Sequence, residues 1–356
     1  MSSMMSRLAS ALISTRWPGK HPGQGVKNER ILIVGPSWIG DMIMAQSLFK
    51  QLKQSNPACE IDVVAPGWSL PVIERMPEVR QGYALDVGHG EFGLTKRREL
   101  ARQLRGNGYA RAIVLPRSFK SALIPWFAKI PLRTGLRGEM RYGLINDVRA
   151  LDRRVLDQTV KKFVALGRSE ESPAVEPLHP ALSVSQDNQQ AVMQKLGLQG
   201  SKPVVAMMPG AEYGPAKCWP LESFAEVSLS LDKMGYDVWV LGSASDRPAG
   251  QFLAEKGAAR NLCGQTSLAD VIDLLAHCEH AISNDSGLMH IAAAVGSRVH
   301  AIYGSSSPDY TPPLSAHVNI HYQRLDCSPC FKRECPLGHL NCLRGISANA
   351  VLAGFK

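Results

Sequence analysis

The stretch His280-Ala281-Ile282-Ser283-Asn284-Asp285-Ser286-Gly287-Leu288-Met289-His290-Ile291-Ala292-Ala293-Ala294-Val295 sets a polar cluster where a buried strand turns into a helix. Ser286 is placed to cap that helix, and Gly287 lets a ligand approach the backbone closely. Free amides and the helix dipole attract an anion at such a point, so the corner reads as a diphosphate seat. Ser286 and His290 stand four apart and share one helix face. An ordinary capped strand-to-helix turn is the competing reading.

Outward from this corner the same alternation recurs. Arg30-Ile31-Leu32-Ile33-Val34 is a continuous apolar run ending in Gly35-Pro36, the mark of a strand buried on both faces, and a helix follows from about Asp41. Ile61–Val64 and Ala112–Leu115 read as further strands, with helical stretches near Leu94–Arg105 and Ser118–Phe127. In the second half come Val204–Met207, a helix near Leu221–Lys233, Asp237–Leu241, a helix near Leu268–Cys278 and Val299–Tyr303. Strands alternating with helices imply parallel sheets. Between the halves, Ser172, Pro173, Pro177 and Pro180 crowd a stretch with no helical period. The expected fold class is therefore α/β, with two Rossmann-like parallel-sheet domains facing across a cleft. Residues 1–29 form an extension expected to be disordered, residues 30–170 one domain, 171–185 a linker, and 186–356 a second domain carrying a Cys-rich segment at 327–342.

A chain of 356 residues exceeds what one core usually organises. No apolar run is long enough to span a bilayer. The formal charge of +9 calls for an anionic partner: nucleic acid, membrane surface or phosphorylated substrate. Eight cysteines are present, and without an export signal the four scattered ones, Cys59, Cys218, Cys263 and Cys278, are expected to be reduced.

Several loops at strand ends carry chemistry. Gly35-Pro36-Ser37-Trp38-Ile39-Gly40-Asp41 has two glycines five apart, but Asp41 and Met42 follow where a triphosphate loop needs Lys-Ser/Thr. A carboxylate there is suited to taking a proton from a hydroxyl nucleophile, and a simple helix cap is the alternative. No Gly-x-Gly-x-x-Gly follows the strand, which disfavours a dinucleotide dehydrogenase. In Pro209–Pro220, Lys217 is placed to neutralise a diphosphate leaving group without a metal, against the plain reading of a solvated surface lysine. Gly242 and Asp246, after another strand, offer a resting place for a ribose or adenine. Tyr303-Gly304-Ser305-Ser306-Ser307 adds hydroxyls.

Basic residues concentrate in the first half. Arg97, Arg98, Arg102 and Arg105 read as a solvated helix face. Arg117, Lys120, Arg133, Arg137, Arg141 and Arg149 are candidates to grip acidic groups, Arg137 and Arg141 from a glycine-broken loop spanning Thr134 to Arg141. Few aromatics accompany them, which disfavours single-stranded nucleic acid. Cys327, Cys330, Cys335 and Cys342 could hold a structural zinc, with reduced unliganded thiols as the alternative.

Taken together, Gly35–Asp41, Leu115–Ala122, Arg133–Asp147, Pro209–Pro220 and Ser283–His290 resemble the bacterial lipopolysaccharide heptosyltransferases, over about residues 30 to 320. The resemblance implies a GT-B fold and a metal-independent, inverting glycosyltransferase. It would move L-glycero-D-manno-heptose from ADP-heptose to the first heptose of the lipopolysaccharide inner core. The rival readings are a heptosyltransferase I or III acting on another core acceptor and a non-catalytic binder of nucleotides or acidic glycans, in which Asp41 is only a cap. The donor would lie mainly on the C-terminal domain, at Gly242, Asp246, Asp285, Ser286, Gly287 and His290. The anionic, membrane-embedded acceptor would meet the N-terminal domain at Lys120, Arg137 and Arg141. Asp41 would act as base and Lys217 would bind phosphate. Nucleic acid is not an expected partner. The expected location is cytoplasmic, peripheral at the inner leaflet of the inner membrane.

Overall fold

The computed structural model describes residues 29–88, 90–169 and 175–355. Most of the 1–29 extension and the start of the 171–185 linker lie outside the described residues. The first sheet contains β1 (Arg30–Val34), β2 (Glu60–Ala65), β3 (Val79–Ala84), β4 (Arg111–Val114), β5 (Leu132–Leu136) and β6 (Asp147–Arg149). Its order is β3-β2-β1-β4-β5-β6. The second contains β7 (Val204–Met208), β8 (Asp237–Val240), β9 (Ala259–Asn261), β10 (His280–Asn284), β11 (Arg298–Tyr303) and β12 (Val318–Tyr322), in the order β12-β11-β10-β7-β8-β9. Read from the β9 edge, the second sheet repeats the first. Each reverses direction beside its first strand, β1 against β4 and β7 against β10, and ligands bind at the carboxyl ends of strands at such switch points.

The central strands follow the apolar runs because both faces are covered. β7 and β10 are buried along their whole length, and every pairing in both sheets is parallel. The edge strands escaped the sequence reading. β3 is Val-Arg-Gln-Gly-Tyr-Ala and half-exposed, so it lacks the apolar run. Thr134-Gly135-Leu136, expected as loop, is β5, paired through Thr134 and Gly135 to Ile113 and Val114. The expected helix at 118–127 divides into a 3-10 turn at Phe119–Ala122 and a one-turn helix at Leu123–Phe127. Pro125 has no N–H to donate and is tolerated only in a helix's first turn, which forces a start just before it.

The linker is pinned along its described part. Gln46, on the Ile39–Ser55 helix, accepts from Ala181 N at 3.0 Å and donates to Ala181 O at 2.7 Å. Ser47 donates to Leu178 O. Further along, Arg75 of the first half pairs with Asp273 of the second at 2.6 Å, and Asp273 is fully buried. One core cluster runs through both halves, from Met42, Met44 and Phe49 to Met289, Ile291 and Ala292. The halves therefore meet over a packed seam. Among the described residues no helix is long and apolar enough to cross a membrane.

Candidate active site

Asp41 stands in the first turn of the Ile39–Ser55 helix, but the N-cap is Trp38 and no side chain caps the helix. Its carboxylate is thus left over from helix formation. The opposing helix, Gly287–Val295, begins after Ser286, whose side chain makes no capping bond, contrary to the expected cap. Ser286 Oγ instead lies 3.3 Å from Ser283 Oγ. Two glycines let these helix starts touch. A Cβ on Gly40 would stand 2.7 Å from the His290 ring, and one on Gly287 would stand 2.8 Å from Ile39 Cβ. Both contacts are closer than a side chain tolerates, so the two helix starts, each a positive dipole end, pack directly against each other.

Lys217 comes to the same gap. Its Nζ donates to Asp285 Oδ2 at 2.5 Å and lies 5.2 Å from the centre of the Tyr213 ring. Asn284 fixes the loop that carries it. Fully buried, Asn284 accepts from Trp219 N at 3.0 Å and donates to Pro209 O at 2.6 Å, tying both ends of Pro209–Pro220 to β10. Burial lifts the Asp41 carboxyl from 3.8 to about 6, helped by the Asp285 charge and opposed by Lys217 and Lys162. Asp41 on one wall and the Lys217–Asp285 pair on the other therefore share one electrostatic environment.

The remaining predicted residues are placed unevenly. His290 is buried against Gly40, and burial lowers its imidazole to about 4, so it is neutral at physiological pH. Asp246 accepts from Ser243 N and Ser243 Oγ, closing its own turn, and its carboxylate faces Gly210 as well as Gly242. Lys120 donates to Glu91 O at 3.1 Å, and Arg137 is exposed. Arg141 is buried and spends its guanidinium on the carbonyls of Pro116 at 2.8 Å and Leu136 at 2.5 Å. Arg133 likewise bonds Leu144 O and Ile130 O, and Arg149 pairs with Asp147. Arg97, expected on a solvated face, is buried and donates to Phe92 O.

Two participants were missed from sequence. Lys162, on the Thr159–Leu166 helix, donates to the Tyr310 hydroxyl at 3.0 Å, and its charge reaches Asp41. Neither residue sits in a recognisable motif, and 148 positions separate them. Ser305 and Ser306, whose hydroxyls the sequence did offer to a nucleotide, follow β11 and bury them without a hydrogen-bond partner among the described residues. Buried hydroxyls without a partner are groups a ligand can satisfy, and Ser305 lines the cavity shared by the four cysteines.

The four cysteines of the Cys-rich segment are free thiols that line one cavity together with Ala216, Ser305 and His339. Backbone amides of Leu340, Leu337, Gly338 and His339 point at the Cys335 sulfur and lower its pKa. Among the described residues no three His, Cys, Asp or Glu side chains converge as a ready metal site.

Two Rossmann-like domains facing across a cleft, with a carboxylate on one wall and a lysine beside a helix start on the other, are the architecture of GT-B glycosyltransferases. The chain belongs to glycosyltransferase family 9 (heptosyltransferase), whose family model matches residues 97–341. It is 45% identical over 303 residues to lipopolysaccharide heptosyltransferase 2 of Escherichia coli K12, covering 82% of this chain and 87% of that protein. The solved E. coli ADP-heptose LPS heptosyltransferase II superposes with a TM-score of 0.81 at 41% identity, covering 92% of this chain and 97% of that one. E. coli heptosyltransferase WaaC with ADP-2-deoxy-2-fluoro heptose shares the fold at a TM-score of 0.69 and 20% identity, covering 92% and 98% of the two chains.

Proposed function

We propose that this glycosyltransferase moves L-glycero-D-manno-heptose from ADP-heptose to the first heptose of the lipopolysaccharide inner core. The observation that carries the reading is the direct packing of the two helix starts through Gly40 and Gly287, which brings the Asp41 end of one helix to the corner holding the Lys217–Asp285 ion pair. Relatives at 45% identity over most of the chain carry the heptosyltransferase 2 name, which favours this acceptor over another core sugar. Residues 30–170 take the acceptor and residues 186–356 the donor.

In the transfer, Asp41 accepts the proton of the acceptor hydroxyl as its oxygen attacks the donor's anomeric carbon. The bond from that carbon to the diphosphate oxygen breaks, and its electron pair leaves with ADP from the opposite face, inverting the centre. A carboxyl near 6 is ionised at physiological pH yet more basic than an ordinary aspartate, which suits a general base. Lys217, oriented by Asp285, and the first amides of the Gly287–Val295 helix receive the growing negative charge. Gly242 and Asp246 border the nucleoside, and His290 supports the gap as a neutral ring. Lys120, Arg137 and Arg141 line the acceptor side, Arg141 by shaping the loop its guanidinium holds.

This transfer uses no metal. Cys327, Cys330, Cys335 and Cys342 hold a structural zinc away from the reacting atoms. The acceptor is anionic and membrane-borne, so the protein works in the cytoplasm against the inner leaflet, and nucleic acid is not a partner. Incubation with ADP-heptose and core oligosaccharides truncated at defined sugars tests the assignment. Product should form on a core ending in one heptose. A product only on a core lacking heptose, or only on a completed inner core, would reassign the acceptor.

A further inference from the structure

A second concave site shares no residue with the gap. It is a groove of about 270 Å³ lined by Arg98, Arg102 and Arg105, from the Leu94–Leu104 helix and its end, and by Phe127 of the neighbouring Leu123–Phe127 helix. Arg98 and Arg102 stand four apart on one helix face, and Arg105, which ends the helix, continues the row. Leu100, Ala101 and Leu104 turn inward and are buried, so the arginines are left exposed. Among the described residues none of the three forms an ion pair. Glu99, the one acid of that helix, falls off the row. Like charges at this spacing repel, and an anion between them relieves the repulsion.

The groove is shaped by aromatic rings. The Arg98 guanidinium lies 5.0 Å from the centre of the Phe127 ring, and Arg105 donates to Phe127 O at 2.7 Å. Trp126 packs edge-on against Phe127 at 4.9 Å yet is 45% exposed, so an indole stands in solvent at the edge of the arginine row. Lys129, shortly beyond, is exposed as well. Phe119 and Lys120 open the same segment, and Lys120 donates to Glu91 O, tying it to the loop that exposes Phe92. Guanidinium and ammonium groups around an exposed indole are the composition of a surface that meets a membrane–water interface. A single exposed indole in the groove offers no stacking platform for nucleic acid.

We propose that this arginine groove docks the protein on a bilayer of anionic phospholipid: the guanidiniums of Arg98, Arg102 and Arg105 take headgroup phosphates while Trp126 enters the interface beside them. A guanidinium offers phosphate paired N–H donors, which an ammonium cannot. The role rests on the reading of a membrane-borne acceptor and supplies the surface that meets its bilayer. Through Lys120 and Glu91 that surface is continuous with the loops proposed for the acceptor. The three arginines touch no reacting atom.

The test is sedimentation of the full chain with vesicles of phosphatidylglycerol and phosphatidylethanolamine that hold no lipopolysaccharide, so the outcome does not depend on the acceptor assignment. Binding should appear on these vesicles, be lost on pure phosphatidylcholine and weaken as salt is raised. Replacing both Arg98→Gln and Arg102→Gln should weaken it about twentyfold, near fivefold for each charge removed, with melting and ADP affinity unchanged. Trp126→Ser should weaken it about threefold and keeps the arginines in place. Equal binding to phosphatidylcholine, or a double variant that binds like the parent, would overturn the docking face. Capture of inorganic phosphate or RNA without vesicle binding would also overturn it, making the groove an ion site or a nucleic-acid site. Vesicle binding that follows the arginines, with no transfer to a core ending in one heptose, would leave the docking face standing and overturn the proposed reaction.

Discussion

The two sheets repeat one strand order, yet their cleft-facing loops are built differently. The second-half wall, proposed for the donor, is buried and cross-tied: Asn284, Asp285 and Lys217 lock two loops with hydrogen bonds that leave little freedom. Around the first-half wall, proposed for the acceptor, the loops after β1, β2, β3, β4 and β5 each expose a large apolar side chain, Trp38, Trp68, Phe92, Phe119 and Tyr142, the last 85% exposed. A rigid wall suits a small donor of fixed shape, and an open rim suits a bulky amphiphilic acceptor. Asp41 belongs to the first half by sequence; burial dominates its raised pKa, and the charges acting on it come from both halves, Asp285 and Lys217 from the second and Lys162 from the first.

Separating the walls by mutation breaks or sharpens this contrast. The largest effect is expected for Asp41→Asn, which cannot accept a proton: turnover should fall between about a hundredfold and ten-thousandfold while calorimetry finds ADP affinity almost unchanged. Near-normal turnover would place the base elsewhere. Lys217→Ala removes the cation and leaves Asp285 unpaired beside the diphosphate, so ADP binding should weaken about a hundredfold. Unchanged ADP affinity would dissociate Lys217 from the donor.

Smaller effects distinguish the two arginines. Arg141→Ala strands the carbonyls of Pro116 and Leu136, so thermal unfolding should show a loss of about 1–3 kcal/mol. Exposed Arg137→Ala should leave melting unchanged and raise acceptor KM about fivefold. The reverse pattern would make Arg141 the acceptor contact and Arg137 the structural one.

The pH response is subtler. Folding raises the Asp41 pKa from 3.8 to about 6, so between those values the folded state binds the proton more tightly and stability declines as pH rises. Asp41→Asn should therefore melt slightly higher than the parent above pH 6 and match it below about pH 4. For the parent, kcat/KM should drop as pH falls through about 6, where the base is protonated. A melting difference independent of pH would contradict the raised carboxyl.

The framework of the second-half wall was legible in sequence because its pattern is local: a buried strand, then Pro-Gly or Asp-Ser-Gly, then a helix. The strands β1, β7 and β10 announce themselves as apolar runs. The acceptor wall was less legible because an arginine's letter does not tell whether its guanidinium faces solvent or three backbone carbonyls. Arg97, Arg133 and Arg141 turned out to be internal braces. Half-exposed edge strands such as β3 lack the run that marks a buried strand. The Lys162–Tyr310 pair depends on tertiary proximity alone, and no local pattern foretells it.

The most direct measurement is a crystal structure of the full chain with ADP bound. The diphosphate should lie within hydrogen-bonding distance of Lys217 Nζ and the first amides of the Gly287–Val295 helix, with the Asp41 carboxylate facing it across the open gap. A diphosphate seated elsewhere, or an Asp41 turned out of the gap when the nucleotide is in place, would contradict the account.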